Sequence, residues 1–172
     1  MLAGEQEKLF ERWIQEYKHV ILKVVRANAA NAEDQNDLFQ EIAFQVWRSI
    51  PSFQERAKVS TWVYRVALNT AMTWHRSQKK QRQLRESMYV VNEPFISETS
   101  PSESLENQEE LNWLYEEIRK LPAIERSLAL LYLEARSYQE IAEILGISTT
   151  QVGVKLNRLR KHLGDAYRRR DK

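Results

Sequence analysis

The sequence predicts an all-α protein made of two small helical domains joined by a flexible linker. Apolar residues recur at helical spacing in several segments, and no stretch shows the strict alternation of a half-buried β-strand. Only four glycines and four prolines occur among 172 residues, which is few for a turn-rich β fold. Residues 87–108 have no helical period and contain two prolines and five serines. We therefore expect domains at 1–86 and 109–172, with a linker at 87–108.

Three helices are predicted in the first domain. Residues 7–27 and 34–50 each place apolar side chains along one face. A third helix is expected from residue 60 to about residue 86. Ser60 or Thr61 is expected to cap it, because a hydroxyl can accept a hydrogen bond from a free N–H of the first turn.

Residues 137–161 predict a helix-turn-helix motif in the second domain. Ser137 and Ser148 are each placed to cap a helix. Gly146 lies between them, where a tight turn needs the positive φ that glycine adopts at little cost. An apolar stripe from Val152 to Leu163 would bury one side of the second helix. The N-terminal end of that helix is then expected to enter the major groove of duplex DNA.

The opposite face of this second helix carries polar and basic residues that suit duplex DNA. Thr150 and Gln151 near the helix start are expected to reach base edges, and glutamine suits adenine. The cations that follow would contact phosphates, which give affinity without sequence information. A solvated helix end is the alternative, since the helix dipole alone favours cations there. The predicted set is Ser148, Thr149, Thr150, Gln151, Lys155, Arg158, Arg160 and Lys161.

Charge is distributed unevenly along the chain, although the formal net charge is only +2. Residues 86–118 contain no Lys or Arg, whereas residues 155–172 contain eight against two aspartates. A basic end beside an acidic middle suggests a nucleic-acid face separated from a solvated connector.

Composition argues against several other classes of protein. The chain has no cysteine, which excludes a disulfide framework and cysteine-ligated zinc. His19, His75 and His162 are scattered, and no phosphate loop or nucleophile motif occurs, so we expect neither an enzyme nor a cofactor. No apolar run approaches the roughly 18 residues of a membrane helix, and the charged N-terminus does not suit a signal peptide. We therefore expect a cytoplasmic protein without membrane insertion.

Aromatic and basic residues interleave along the third predicted helix. This combination suits single-stranded DNA, because unstacked bases stack on rings while the phosphates are neutralised by cations. Trp62 suits either the core or a DNA contact, and both interpretations stay open at this point. Tyr64 and Arg65 are assigned to the DNA side.

Two parts of the chain resemble conserved regions of bacterial sigma factors, the subunits that give RNA polymerase its promoter specificity. Residues 37–53 and 58–83, which include "STWVYRVALN", resemble region 2, and residues 121–148 resemble region 4. Because no large domain lies between them, the chain is most similar to the extracytoplasmic-function (ECF) group. The resemblance implies promoter-specific transcription initiation, with core RNA polymerase, promoter DNA and an anti-sigma factor as partners.

The resemblance also implies what each half does. The region 2-like domain would open and read the −10 element, with the 51–59 loop capturing an extruded base. The region 4-like domain would read the −35 element. The implied −10 contacts are Ser60, Thr61, Trp62, Tyr64, Arg65, Asn69, Arg76, Lys79 and Lys80.

The helix predicted at 34–50 has an acidic and polar face, which by itself suits a plain amphipathic helix with one solvated side. The resemblance implies that this helix grips a coiled coil on the largest polymerase subunit. Asp34 lies one turn upstream of the usual acidic position, so its role is less defined than that of Asp37. The implied core polymerase contacts are Asp37, Leu38, Gln40, Glu41 and Phe44.

A free-standing helix-turn-helix regulator that binds operators as a dimer is the alternative. Against it, the sequence shows no sensor domain and no heptad seam for dimerisation. Binding to core polymerase would separate the two functions.

Gly153 departs from the sigma-factor pattern, which often has a basic residue there. Glycine inside a helix costs roughly 1 kcal/mol relative to alanine and removes a DNA-facing side chain. The departure predicts either a close approach of the backbone to DNA or a different readout of the −35 element.

Overall fold

A computed structural model describes the backbone of residues 3–85 and 105–170, and the side chains of residues 4–74 and 107–170. These residues form seven α-helices and one short 3₁₀ turn, and they include no strand. The all-α prediction is therefore confirmed. The chain divides into two compact units, Met1–Glu98 and Thr99–Lys172. The boundaries predicted at 86 and 108 stay predictions, because most of the 87–108 segment lies outside the described residues.

The first unit contains three long helices that all pack against one another. Its core consists of aliphatic side chains that are almost fully buried, such as Ile21, Leu38, Ile42 and Leu68. Burying each such side chain contributes about 1.5–3 kcal/mol, so the inward faces hold this bundle together. The helices are α1 (Ala3–Asn28), α2 (Ala32–Ser49) and α3 (Val59–Arg85).

Short segments set where α2 and α3 begin. Asn31 caps α2, since its Oδ1 accepts from the Asp34 N–H at 2.8 Å and its Nδ2 donates to the Asp34 carboxylate at 2.9 Å. Asp34 is thus a partner in this cap. The Trp62 N–H donates to the Lys58 carbonyl at 3.1 Å, which places the start of α3 before Ser60. The cap predicted at Ser60 or Thr61 is wrong, because both residues already belong to the first turn.

The second unit contains four helices, of which the last three pack against one another. Leu128, Leu131, Ile141 and Leu156 form the centre of their shared core. The apolar stripe predicted from Val152 to Leu163 is buried at its N-terminal end, whereas Leu163 at its other end is only half-buried. The helices are α4 (Leu105–Lys120), α5 (Ala123–Leu133), α6 (Tyr138–Leu145) and α7 (Thr149–Arg170).

Two left-handed residues set the course of the chain into and out of α6. Ala135 has φ 54° after α5, and the next N–H, of Arg136, donates back to Leu131 at 3.1 Å. Gly146 has φ 68° after α6, and the Ile147 N–H donates back to Ala142 at 3.2 Å. Both ends show the six-to-one hydrogen bond that closes a helix with a left-handed residue. The predicted role of Gly146 is therefore confirmed, while Ala135 is an unexpected residue for this conformation.

Replacing Ala135 by glycine should stabilise the α5–α6 region. A left-handed alanine costs about 1–2 kcal/mol, whereas glycine adopts this conformation freely. Because glycine also makes the unfolded chain more flexible, we expect a net gain of about 0.5–1 kcal/mol. Hydrogen exchange of α6 amides in the full chain would measure it. Ala123→Gly, at the first residue of α5, is the matched control. It adds the same flexibility to the unfolded chain without relieving a left-handed alanine, so it should destabilise slightly; a similar loss for Ala135→Gly would contradict the prediction.

Candidate nucleic-acid interface

Both helices of the helix-turn-helix start with a reciprocal capping box. Ser137 Oγ accepts from the Glu140 N–H at 3.2 Å, while the Glu140 carboxylate accepts from the Ser137 N–H at 2.9 Å. Ser148 Oγ accepts from the Gln151 N–H at 3.1 Å, while Gln151 Oε1 accepts from the Ser148 N–H at 3.0 Å. Each box satisfies N–H groups that a helix start leaves without partners. The N-terminal end of α7 is thereby fixed in place.

The second box changes the role available to Gln151. The predicted base contacts Thr150 and Gln151 are exposed at the start of α7, and so is the neighbouring predicted −35 residue Thr149. Because Gln151 Oε1 is used by the cap, its Nε2 donors are the groups best placed to reach a base acceptor. The predicted cap by Ser148 is confirmed. Sequence reasoning missed the reciprocal bond to Gln151, although Ser148 and Gln151 match the S/T-x-x-E/Q signature of a capping box.

The four predicted phosphate contacts on α7 fall into two pairs. Arg158 and Lys161 are exposed. Lys155 Nζ instead donates to the Glu125 carboxylate of α5 at 2.8 Å. Arg160 Nη2 donates to the Tyr138 hydroxyl at 3.2 Å. The structure therefore brings all four onto one helix, but two of them already have partners within the protein.

The Lys155–Glu125 pair ties α7 to α5. The hydrogen bond from Lys155 lowers the pKa of Glu125 below its ordinary value of 4.5, although partial burial opposes this shift. The two side chains are 31% and 30% exposed. Solvent therefore screens the pair, which we expect to contribute about 0.3–1 kcal/mol.

Gly153 lies beside Tyr138 of α6. A Cβ built at this position would stand 3.6 Å from Tyr138 Cε2, an ordinary van der Waals distance. The position is half-buried, so part of it faces α6 instead of open solvent. Sequence reasoning missed this contact, because the two residues lie on different helices.

Three aromatic rings of the first unit meet where α1, α3 and the loop between α2 and α3 come together. Trp13 is 5.2 Å from Phe53 and 5.3 Å from Trp62, and Phe53 is 5.3 Å from Trp62, all between ring centroids. Trp13 is buried, whereas Trp62 is half-buried. Trp62 therefore belongs to the core cluster and still presents part of its surface. Glu55, in the loop that follows Phe53, has a left-handed φ of 56°.

The predicted −10 residues divide by burial. Arg65 and Asn69 are exposed one turn apart on α3, and Ser60 is half-buried. Thr61 is only 4% exposed and Tyr64 only 1%, so neither side chain can reach DNA from this surface. Their assignment to the DNA side is corrected to a core role. The side chains of the remaining three lie outside the described residues: Arg76, Lys79 and Lys80.

The predicted polymerase-binding face of α2 divides in the same way. Gln40, Glu41 and Phe44 are exposed, and Phe44 is 55% exposed despite its apolar ring. Asp37 is half-buried. Leu38 is fully buried, so its assignment as a direct contact is corrected to a core residue beneath that face.

Among the described residues, no group of three or more His, Asp or Glu side chains suits a metal ion. Within the same ranges, no helix has the length and apolar character to cross a membrane.

Comparisons with known proteins match both units. The Sigma-70 region 2 family matches residues 13–81, and the Sigma-70 region 4 family matches residues 111–163. Together these matches span more than half of the chain.

Curated relatives match over most of their length. RNA polymerase sigma factor YlaC of Bacillus subtilis (strain 168) is 29% identical over 166 residues, covering 91% of this chain and 88% of YlaC. ECF RNA polymerase sigma factor SigW of the same organism is 28% identical over 173 residues, covering 94% and 92%. ECF RNA polymerase sigma-E factor of Escherichia coli (strain K12) is 28% identical over 165 residues, covering 92% and 85%.

Solved structures share the fold. RpoE of Bartonella quintana, in complex with the anti-sigma factor NepR, has a TM-score of 0.68 at 16% identity, covering 94% of this chain and 98% of RpoE. CnrH, in complex with the cytosolic domain of CnrY, has a TM-score of 0.64 at 17% identity, covering 94% and 88%.

A chain with a helical bundle and a separate helix-turn-helix unit is, by class, a DNA-binding protein. The family matches and the relatives make this assignment more specific. The chain belongs to the sigma-70 family, in its ECF group of RNA polymerase sigma factors. Sigma factors are transcription initiation factors and not enzymes, so the prediction that the chain is not an enzyme is confirmed by its family.

Replacing Glu125 by glutamine should loosen α7 in a pH-dependent way. A carboxylate whose pKa is lowered by folding stabilises the folded state above its unfolded pKa, and this contribution is lost as pH falls through the folded pKa. At pH 7 we expect the opening free energy of the α7 amides, measured by hydrogen exchange, to be lower by about 0.3–1 kcal/mol in Glu125→Gln than in the wild type. The difference from wild type should narrow below pH 4.5, the ordinary value for Glu125.

Glu116→Gln is the matched control, since it removes the same charge from an exposed position on α4. An equal effect of Glu116→Gln, or a difference that stays constant as the pH is lowered, would show that the pair does not hold α7.

Proposed function

We propose that this sigma factor directs initiation through two separate contacts with promoter DNA. The first unit binds core polymerase and opens and reads the −10 element, while the second unit reads the −35 element as duplex. The observation that carries this proposal is the capped, exposed start of α7 with its row of cations, in the same chain as a region 2 match.

The duplex contact rests on the start of α7. Free N–H groups and the helix dipole make a helix N-terminus attractive to phosphate. Thr149, Thr150 and Gln151 are exposed at this end, where their donors and acceptors can reach base edges. Arg158 and Lys161 lie farther along and supply charge to the flanking backbone.

The single-strand contact rests on α3. Trp62 presents part of its ring from a rigid aromatic cluster, and stacking a base on such a ring contributes about 1–3 kcal/mol. This is comparable with the few kcal/mol that unstacking a base costs. Arg65 and Asn69 are exposed one turn apart on α3, and Arg76, Lys79 and Lys80, whose side chains lie outside the described residues, stay predicted contacts.

The polymerase contact is assigned to the exposed face of α2. Phe44 is a large apolar ring, 55% exposed, with the polar side chains of Gln40 and Glu41 nearby on the same helix. An aromatic anchor with a polar rim is typical of protein interfaces. RpoE was solved in complex with the anti-sigma factor NepR, and CnrH in complex with the cytosolic domain of CnrY. By extension, we propose that an anti-sigma factor also regulates this chain. We propose a cytoplasmic location for it as well.

The length of the 87–108 segment is compatible with a two-point contact. Two promoter elements about two helical turns apart are separated by roughly 70 Å. Because α3 ends at Arg85 and α4 begins at Leu105, 19 residues lie between these helices. Fully extended, a segment of that length would span roughly 63–68 Å, close to this separation.

Mapping transcript 5′ ends would test the proposed function. Purified core polymerase with this chain, on fragmented genomic DNA, should produce start sites that core polymerase alone does not, with shared −10 and −35 elements. A variant with Glu41→Ala and Phe44→Ala should lose these starts while its duplex binding persists. Sequence-specific duplex binding with no polymerase binding and no new starts would instead favour a free-standing regulator.

Replacing Arg158 and Lys161 together by alanine should weaken duplex binding across all sequences. Because each phosphate contact contributes about 0.9 to the salt slope, the slope should fall by about 1.8. Fluorescence anisotropy at several salt concentrations would measure it. Lys8→Ala with Arg12→Ala, exposed on α1, is the control for lost charge, and an equal drop in that variant would overturn the assignment.

A further inference from the structure

Arg160 is held in place by two tyrosines from two other helices. Its Nη2 donates to the Tyr138 hydroxyl at 3.2 Å, and its Cζ lies 4.9 Å from the centre of the Tyr132 ring. The second geometry is a cation–π contact. Tyr138 is 41% exposed and Tyr132 is 38% exposed, so the cluster lies at the surface.

Gly153 makes room for this arrangement. It precedes Arg160 by seven residues, about two turns, so both positions face the same side of α7. The Tyr138 ring lies 3.6 Å from where a Cβ at position 153 would be. A Cβ fits at this distance, whereas a longer side chain directed toward α6 would have to displace the ring. The glycine therefore lets Tyr138 lie along α7, where its hydroxyl meets Arg160.

A guanidinium held in this way is well prepared to bind an anion. It has five N–H donors, so one bond to Tyr138 leaves others for phosphate oxygens. A long side chain normally loses rotamer freedom when it binds, and one that is already oriented loses less. Its two partners are a hydroxyl and a ring face, and neither is a carboxylate that would compete with phosphate for the guanidinium.

We propose that Tyr132, Tyr138 and Gly153 form a positioning site that orients Arg160 for a DNA phosphate. Arg160 makes the contact, and the two tyrosines are positioning residues that act through it. The proposal rests on the duplex contact proposed above for the second unit. It also gives Gly153 a role, because a side chain larger than alanine that is directed toward α6 would have to displace the ring of Tyr138.

A double-mutant cycle in the full chain would test this inference. The probe is a 30-bp duplex of mixed sequence, because phosphate contacts do not depend on sequence, and binding is followed by anisotropy at several salt concentrations. Arg160→Ala should weaken binding about 5–10-fold and lower the salt slope by about 1. Tyr138→Phe, which removes only the hydroxyl, should weaken binding about 2–5-fold without changing the slope, since the charge remains.

The decisive variant combines both substitutions. Tyr138→Phe should add nothing once Arg160 is alanine, because its effect passes through Arg160. Gly153→Leu should resemble Tyr138→Phe, since it displaces the ring. Tyr167→Phe is the control, because Tyr167 lies on α7 with Arg160 and is 43% exposed; this variant should bind as the wild type does.

Three results would overturn the inference. Tyr138→Phe could bind as wild type, or it could keep its full effect when Arg160 is alanine. An Arg160→Ala variant that binds the duplex like the wild type would also overturn the inference, because Arg160 would then contact no phosphate. None of these results would contradict the proposed function. That function is tested separately, by the Arg158 and Lys161 substitutions and by mapping transcript start sites.

Discussion

The left-handed backbone at Gly146 is the constraint on which the proposed duplex contact depends. The Gly146 and Ile147 N–H groups both donate to the Ala142 carbonyl, at 2.9 and 3.2 Å, which ends α6 abruptly. The Ser148 cap starts α7 immediately afterwards. With α6 closed on one side and α7 capped on the other, the intervening chain has little freedom. The exposed start of α7 therefore points away from the core as a rigid feature.

The basic face of α7 combines two kinds of cation. Arg158 and Lys161 are exposed, whereas Lys155 and Arg160 are held by groups of the protein itself. The holding groups differ in chemistry. Glu125 is an anion and would compete with a phosphate for Lys155, whereas the tyrosines around Arg160 hold its guanidinium without an opposing charge. In the proposed duplex contact, affinity for DNA would therefore depend on the partners of these side chains as well as on their number.

Local patterns predicted most of this fold, and contacts between distant residues account for what they missed. The bounds of α6 and the roles of Ser137, Gly146 and Ser148 follow from turn and cap chemistry within a few residues. Lys155 and Glu125 are 30 residues apart, and Arg160 and Tyr138 are 22 apart, so no local pattern reveals their pairing. The burial of Leu38, Thr61 and Tyr64 depends on how three helices are rotated against one another, which residue type alone does not determine.

The central claim is that the two units act on different forms of DNA, one on separated strands and one on duplex. Permanganate reactivity of −10 thymines, measured with DNase protection in the same holoenzyme complexes, tests it most directly. With Arg65→Ala and Asn69→Ala, we expect upstream protection to persist while the thymines stay unreactive. With Arg158→Ala and Lys161→Ala, both signals should fall together. Identical patterns for the two variants would contradict a division of labour between the units.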